Sequence, residues 1–313
     1  MAGSNTDGIA IGMGLIAVRA IIRYYGCSMA DFRQIEWDEL LEDDCRQIIR
    51  LAVREDLDRG LDWTTVALVP ADARASAAVV ARKAGVIAGL KAAQIALDEM
   101  NASISWTATA DEGQRVVAGD SIAVVEGSAR DILTSERIVL NLLGHLSGIA
   151  TVTRQYVDAI TGSTARIYDT RKTTPGWRRL EKYAVQCGGG RNHRTGLYDA
   201  ILIKDNHLAH FEGSDNSRAS DHRSLAGIVG IARKFAAEKT TGARLLVEIE
   251  VDSIEQFAEV LTTAADIILL DNMSLDELRE AVGLRDRAGS DIELEASGGI
   301  NLMNVSEIAA TGI

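Results

Sequence analysis

Hydrophobic positions change their spacing twice along this chain, and each change marks a different kind of element. From Trp37 to Leu57 the run WDELLEDDCRQIIRLAVREDL puts Leu40, Leu41, Ile48, Ile49 and Val53 on one stripe, which predicts an amphipathic helix. Asp62-Trp63-Thr64-Thr65 then leads into Val69-Pro70, which reads as a turn. Ala75 to Leu90 and Ile104 to Val125 alternate over short stretches broken by glycine. That pattern predicts an antiparallel β layer, with a helix from Leu90 to Met100 between its parts. Thr134 to His145 opens a long helix expected to end near Thr161.

Beyond that helix the alternation gives way to short, almost continuously apolar runs. Strands are expected at Ala165–Thr170, Ala200–Lys204, Leu245–Val251, Ile267–Asp271 and Ile292–Ala296. Helical patterns at Gly176–Gln186, Leu225–Lys239, Ser253–Leu261 and Ser274–Arg287 separate them. Strand-then-helix order with strands apolar on both faces predicts a parallel α/β sheet, here closed as a barrel. His210 to Ser224 is polar and irregular and reads as an inserted surface loop.

Composition supports two domains. At 313 residues and 47% hydrophobic content the chain can bury a sizeable core, and with only 4% aromatics that core is built of aliphatic residues. Three cysteines without a CxxC pair suggest neither a disulfide framework nor a zinc site, and fit a cytoplasmic protein. The stretch Ile9–Ile22 is apolar apart from Arg19. It lacks a basic leader and falls short of the roughly 20 residues a membrane span needs. The expected organisation is therefore a disordered or loosely docked extension over 1–28, an α/β sandwich domain over 29–142, and an α/β barrel domain over 143–313.

Charge brings in the chemistry. The whole chain carries a formal −12, yet between Arg166 and Lys204 nine Lys/Arg stand against three Asp/Glu. Gathering cations against the overall balance points to a small polyanionic ligand; nucleic acid would favour a broad basic face. Five predicted strands end in reactive groups: Arg171 and Lys172, then Lys204, then Glu248 and Glu250, then Asp271 and Asn272, then Ser297-Gly298-Gly299. In a β/α barrel such ends meet at one mouth, where active sites are built. Carboxylates among cations can bind a divalent ion or ribose hydroxyls, and bare backbone N–H groups at a glycine turn can cradle phosphate.

Plainer roles compete for individual residues. Glu248 equally fits a salt-bridge partner inside the barrel. Arg178, Arg179 and Lys182 fit helix-surface charges, His145 a satisfied core histidine and Cys187 a small packed residue.

Taken together, SERIVLNLLGHLSGIAT (Ser135–Thr151), DTRKTTPG (Asp169–Gly176), CGGGRNHRTGLYDAILIKDNH (Cys187–His207), VEIEVDS, LLDNM and ASGGI strongly resemble the quinolinate phosphoribosyltransferase family, the decarboxylating nicotinate-nucleotide pyrophosphorylases. REDLDRGLDWTT is similar to the family's N-terminal signature in looser form. The resemblance covers roughly residue 38 to the end. It implies an N-terminal α/β sandwich followed by an incomplete TIM-like barrel, here expected to be truncated at its C-terminus because family members continue through another strand and helix. It also implies a homodimer, or a higher oligomer, with sites shared across the interface.

The reaction implied is phosphoribosyl transfer from phosphoribosyl pyrophosphate (PRPP) to quinolinate, with Mg2+. By resemblance, Arg171, His193 and Arg194 grip the diacid, with Arg137 entering from the partner subunit. Lys172 and Lys204 lie between the substrates, Glu250 and Asp271 hold ribose hydroxyls and the magnesium–pyrophosphate end, and Ser297, Gly298 and Gly299 take the 5-phosphate. Competing expectations are a phosphoribosyltransferase acting on a monocarboxylate such as nicotinate, a Schiff-base aldolase using Lys172 or Lys204, and a catalytically idle phosphate-binding module.

Overall fold

A computed structural model describes residues 17–20, 31–212, 224–239 and 244–313 of the chain. The first described element is the four-residue strand β1 (Ala17–Ala20). The long N-terminal helix α1 (Glu39–Leu57) starts where Asp38 accepts a hydrogen bond from the Leu41 backbone N–H, and it buries Leu41, Cys45 and Ile49. Before the expected turn at Val69-Pro70, a short helix α2 (Trp63–Leu68) forms that the pattern does not predict. Asp62 caps this helix by accepting from Thr65 N at 3.0 Å.

The antiparallel layer follows the alternation. Strands β2 (Arg74–Val80), β4 (Ile104–Ala108) and β6 (Ser121–Ser128) pair in the order β2-β6-β4, beside the small pair β3 (Gly85–Val86) and β5 (Arg115–Val116). Helix α3 (Leu90–Glu99) lies between β3 and β4 in the chain. Its Ala-rich face packs with α1 residues and with α4 (Ala129–Ala159) into one apolar core. Helix α4 runs unbroken past residue 142, the expected domain boundary, and so belongs to both halves.

The second half is the expected parallel α/β domain, an incomplete barrel whose sheet does not close among the described residues. Strands β7 (Ala165–Tyr168), β8 (Ala200–Ile203), β9 (Leu246–Val251), β10 (Ile267–Asp271) and β11 (Glu293–Ser297) alternate with helices. These are α5 (Arg178–Cys187), α6 (Asp205–Glu212), α7 (Leu225–Lys239), α8 (Ile254–Val260), α9 (Leu275–Ala288) and finally α10 (Val305–Ala309). The strand order is β7-β1-β11-β10-β9-β8, with β8 through β11 parallel.

Two further features differ from expectation. Residues 17–20, expected within a loose extension, form a strand that pairs antiparallel with both β7 and β11. The rest of the stretch 1–28 lies outside the described residues. The expected loop over 210–224 begins as helix α6, and residues 213–223 lie outside the described residues.

Period-two alternation sorts the barrel strands into two faces. Val247, Ile249 and Val251, with Ile268, Leu270, Leu294 and Ala296, join the core shared with the outer helices. Their neighbours Leu246, Ile267 and Ala200 meet Tyr168 and Phe32 in a small separate cluster. Glu248, Glu250, Leu269, Asp271, Leu202, Lys204, Glu295 and Ser297 continue that second face towards the strand ends. Among the described residues no helix is long and apolar enough to cross a membrane.

Candidate active site

The C-terminal strand ends surround a cavity of about 530 Å³. Its wall contains Thr170, Arg171 and Lys172 beyond β7, His193 and Arg194, then Lys204 beyond β8. Glu250, Asp271 and Ser297-Gly298-Gly299 complete it from β9, β10 and β11. Ten of the site residues expected from sequence are therefore brought together. The eleventh, Arg137, is exposed on α4 and does not line this cavity within one chain.

The cationic wall is held by a buried polar network. Arg191 takes a strand-like position beside β7, donating to Ile167 O (2.8 Å) while its carbonyl accepts from Asp169 N (3.0 Å). Asn192 donates its side-chain amide to Asp169 (2.7 Å) and to Lys182 O (2.9 Å), and its Oδ1 accepts from Gln186 Nε2 and from Ile35 N. His193 donates its backbone N–H to Asp169 Oδ1 (2.9 Å), and its carbonyl accepts from Lys182 Nζ (2.9 Å). Residues 191–194 thereby cross from β7 towards β8, where Arg194 donates to Ala200 O (3.2 Å). Lys182 is thus no surface charge, as its helical spacing suggested: it is buried and ion-paired with Asp169. Burial pushes the Asp169 carboxyl up and the Lys182 amine down from their ordinary values, each countered by the other's charge.

Arg178 and Arg179 also serve the scaffold. Arg178 donates to Thr173 Oγ1 at 3.0 Å, and Arg179 lies 3.3 Å from Asp44. His145 sits 3.1 Å from Glu181 and edge-on to Trp177, as a satisfied histidine should. Cys187 is partly buried, with Sγ 3.8 Å from the Glu112 carboxylate. Burial, then that negative neighbour, push its thiol up to about 12, so it is no nucleophile.

The guanidinium groups suit carboxylates. Arg171 Nε is buried and has no hydrogen-bond partner among the described residues, an arrangement that costs free energy unless a ligand accepts from it. Arg194 is buried; burial and then the nearby Arg171 charge lower its pKa from the ordinary arginine value. Two crowded guanidinium groups repel each other and are relieved by a dianion.

At the far wall Lys204 Nζ pairs with Glu250, and Asp271 accepts from Asn272 Nδ2 at 2.8 Å. Leu269 lies opposite Glu250 in the parallel ladder, so Asp271 projects from the neighbouring strand one pleat further out. Two hard carboxylates at an open mouth fit Mg2+, which favours one or two protein carboxylates together with substrate phosphate oxygens. The glycine turn is sterically determined. Gly298 has φ +91°, and a Cβ there would stand 2.1 Å from Asn272 Oδ1. Asn272 is itself left-handed at φ 56° and donates its backbone N–H to Ser297 O (2.8 Å), tying the β10 and β11 ends together.

Glu248, left open between ligand and interior partner, is an interior residue, 3.0 Å from His193 Nε2. Two contributors escaped the sequence reading. Glu295 sits 3.7 Å from the same nitrogen, and the Phe32 ring packs on the imidazole with centroids 4.0 Å apart. Counting back by two from Ser297 along β11 would have found Glu295; nothing in the pattern marked Phe32.

Comparison with known proteins shows the family. Residues 62–147 match the family described as quinolinate phosphoribosyl transferase, N-terminal domain, and residues 149–313 match its C-terminal domain. The chain is 42% identical over 273 residues to the nicotinate-nucleotide pyrophosphorylase (carboxylating) of Mycobacterium leprae, covering 87% of this chain and 90% of that protein. It is 35% identical to the mitochondrial quinolinate phosphoribosyltransferase (decarboxylating) 2b of Nicotiana tabacum, over 86% of this chain and 76% of the other. Among solved structures, the nicotinate-nucleotide pyrophosphorylase of Francisella tularensis superposes with a TM-score of 0.78 at 33% identity, covering 90% of this chain and 92% of that one.

Proposed function

Because the chain belongs to the quinolinate phosphoribosyltransferase family, we infer that it transfers the phosphoribosyl group of PRPP to quinolinate, releasing pyrophosphate and CO2 and forming nicotinate mononucleotide for NAD synthesis. The observation that carries this reading is the grading of one cavity wall, with cations from the β7 to β8 side, carboxylates on β9 and β10, and a glycine turn after β11.

Each part has a task that its chemistry suits. Arg171, His193 and Arg194 would hold the two carboxylates of the planar diacid, guanidinium forks matching carboxylate geometry in pairs. Lys172 and Lys204 would lie between the diacid and the sugar phosphates. Glu250 and Asp271 would accept from ribose hydroxyls, and the Ser297–Gly299 turn would offer backbone N–H groups to the 5-phosphate. Bound magnesium, held by Glu250 and Asp271 together with phosphate oxygens, would neutralise charge on the pyrophosphate.

As the C1–oxygen bond to pyrophosphate breaks, positive charge builds on the sugar, and the carboxylates of the far wall tolerate it. The ring nitrogen of quinolinate then bonds to C1. The quaternised ring accepts the electron pair left by the departing CO2, and a proton takes that carboxylate's place. No covalent enzyme intermediate is required. Lys204 is ion-paired with Glu250 rather than set in the apolar or cation-crowded surroundings that activate a Schiff-base lysine, which disfavours an aldolase. Arg137, exposed on α4, would complete the diacid site of a second copy in a dimer.

The experiment is to incubate purified protein with quinolinate, PRPP and Mg2+ and look for nicotinate mononucleotide with an equal amount of pyrophosphate. Binding of PRPP without release of pyrophosphate would leave only a phosphate-binding module.

A further inference from the structure

At the cavity wall three buried ionisable side chains meet, His193 and Glu295, which line it, and Glu248 behind them, with ligand-capable atoms all within 4.8 Å of one another. His193 is 6% exposed, Glu248 0% and Glu295 1%. Burying two carboxylates side by side is costly unless a positive charge lies between them. The imidazole occupies that position, with Nε2 3.0 Å from Glu248 Oε2 and 3.7 Å from Glu295 Oε2.

We propose that Glu248 and Glu295 are positioning residues for the diacid, acting through His193 by keeping its imidazole doubly protonated and fixing the plane of its ring at the cavity wall. This rests on the proposed function, since it assigns a role to the same site.

The surroundings leave the ring little freedom. Its backbone is pinned on both sides, by Asp169 on the N–H and Lys182 on the carbonyl. Phe32 covers the ring. The charged groups around it come from several elements: Glu248 on β9, Glu295 on β11, Lys182 on α5, Asp169 after β7, and the guanidinium groups of Arg171 and Arg194. Burial and Lys182 oppose protonation, but the two carboxylates outweigh them and raise the His193 pKa above its ordinary value. A cationic imidazole adds a third positive group to the pair of arginines, in a place where a neutral ring would offer only a hydrogen bond. The 3.0 Å approach of Nε2 to Glu248 is an ion-pair contact rather than an aligned hydrogen bond, so charge, more than hydrogen-bond geometry, links the ring to the carboxylates.

Two measurements test this, and the first needs no substrate. In enzyme carrying carbon-13-labelled histidine, His193 is identified among five histidines by the signal lost in His193→Asn, and each ring is titrated by NMR. His193 should titrate above the ordinary value of about 6.5 in the wild type, and below it in the Glu248→Gln/Glu295→Gln double variant, where burial prevails. The second is steady-state kinetics. At pH 7.5 the double variant should show a KM for quinolinate raised about tenfold or more, with the KM for PRPP little changed, and lower pH should recover it. In the wild type, affinity for quinolinate should fall as pH rises through the His193 value.

An unshifted His193 in the wild type would overturn the proposal, as would equal losses in both KM values or a loss that acid does not repair. So would one equivalent of tightly bound metal whose removal by a chelator moves the His193 signals, because the trio would then be a metal site. The NMR result stands whatever the substrate proves to be, so failure of the functional reading is distinguishable from failure of this one.

Discussion

The Lys182 ammonium and the Asp169 carboxylate form an ion pair inside the protein, 1% and 9% exposed, between helix α5 and the end of strand β7. The same two side chains hold the backbone of His193 from both sides. The pair therefore links folding directly to the position of the cationic wall. Lys182→Met leaves Asp169 buried without its counter-ion, and loss of one partner of a buried pair costs about 3–5 kcal/mol. Urea unfolding should show that loss, and Asp169→Asn in the Lys182→Met background should recover part of it.

A methyl group at position 298 should be poorly tolerated. Gly298→Ala forces a left-handed alanine and places its Cβ within the space of Asn272 Oδ1. The strain is of the order of 1–3 kcal/mol. Because the turn would receive the sugar phosphate, the KM for PRPP should rise more than that for quinolinate, which initial rates with either substrate varied will show.

The proposed sharing of sites between subunits predicts complementation. Arg137→Ala and Lys172→Ala should each lower kcat/KM at least about a hundredfold, the usual cost of removing one oriented charged contact. Arg137 is exposed and off the cavity of its own chain. Refolding the two variants together should regain activity that neither has alone, because some mixed dimers carry one intact site. Absence of any recovery would place each site within a single chain.

Two thiols should be inert in the native protein. Burial, the largest influence in each case, pushes both Cys45 and Cys187 up to about 12. At pH 8 neither forms appreciable thiolate, so neither should react with iodoacetamide on a timescale of minutes, whereas both should react in urea. Mass mapping of the alkylated cysteines distinguishes them from Cys27.

The barrel was legible because its strands are apolar on both faces and end in charged residues. The apolar run gives Ile267–Asp271 the bounds it has in the fold, and the spacing of Glu248 and Glu250 puts both on one face. The gathering of the strand ends at one cavity followed from parallel topology alone. What stayed hidden depended on contacts distant in sequence. Lys182 shares the period of Arg178 and Arg179 along its helix, and only the approach of Asp169 makes it an interior residue. Helix α2 escapes the sequence pattern because six residues carry too little periodicity, and its start rests on the Asp62 cap. The pairing of Ala17–Ala20 between β7 and β11 has no local signal at all, since four residues can join a sheet only where two edges await them. Phe32 was invisible for the same reason: a lone aromatic before a helix says nothing about the ring it will cover.

The central claim is that cations distant in sequence converge to grip an aromatic diacid rather than a monoacid. Its most direct test is competition between quinolinate and nicotinate as acceptors of the phosphoribosyl group, with labelled CO2 counted from the 2-carboxylate of quinolinate. The account predicts a much higher kcat/KM for quinolinate and one CO2 released for each pyrophosphate. Faster turnover of nicotinate, or pyrophosphate release without CO2, would contradict it.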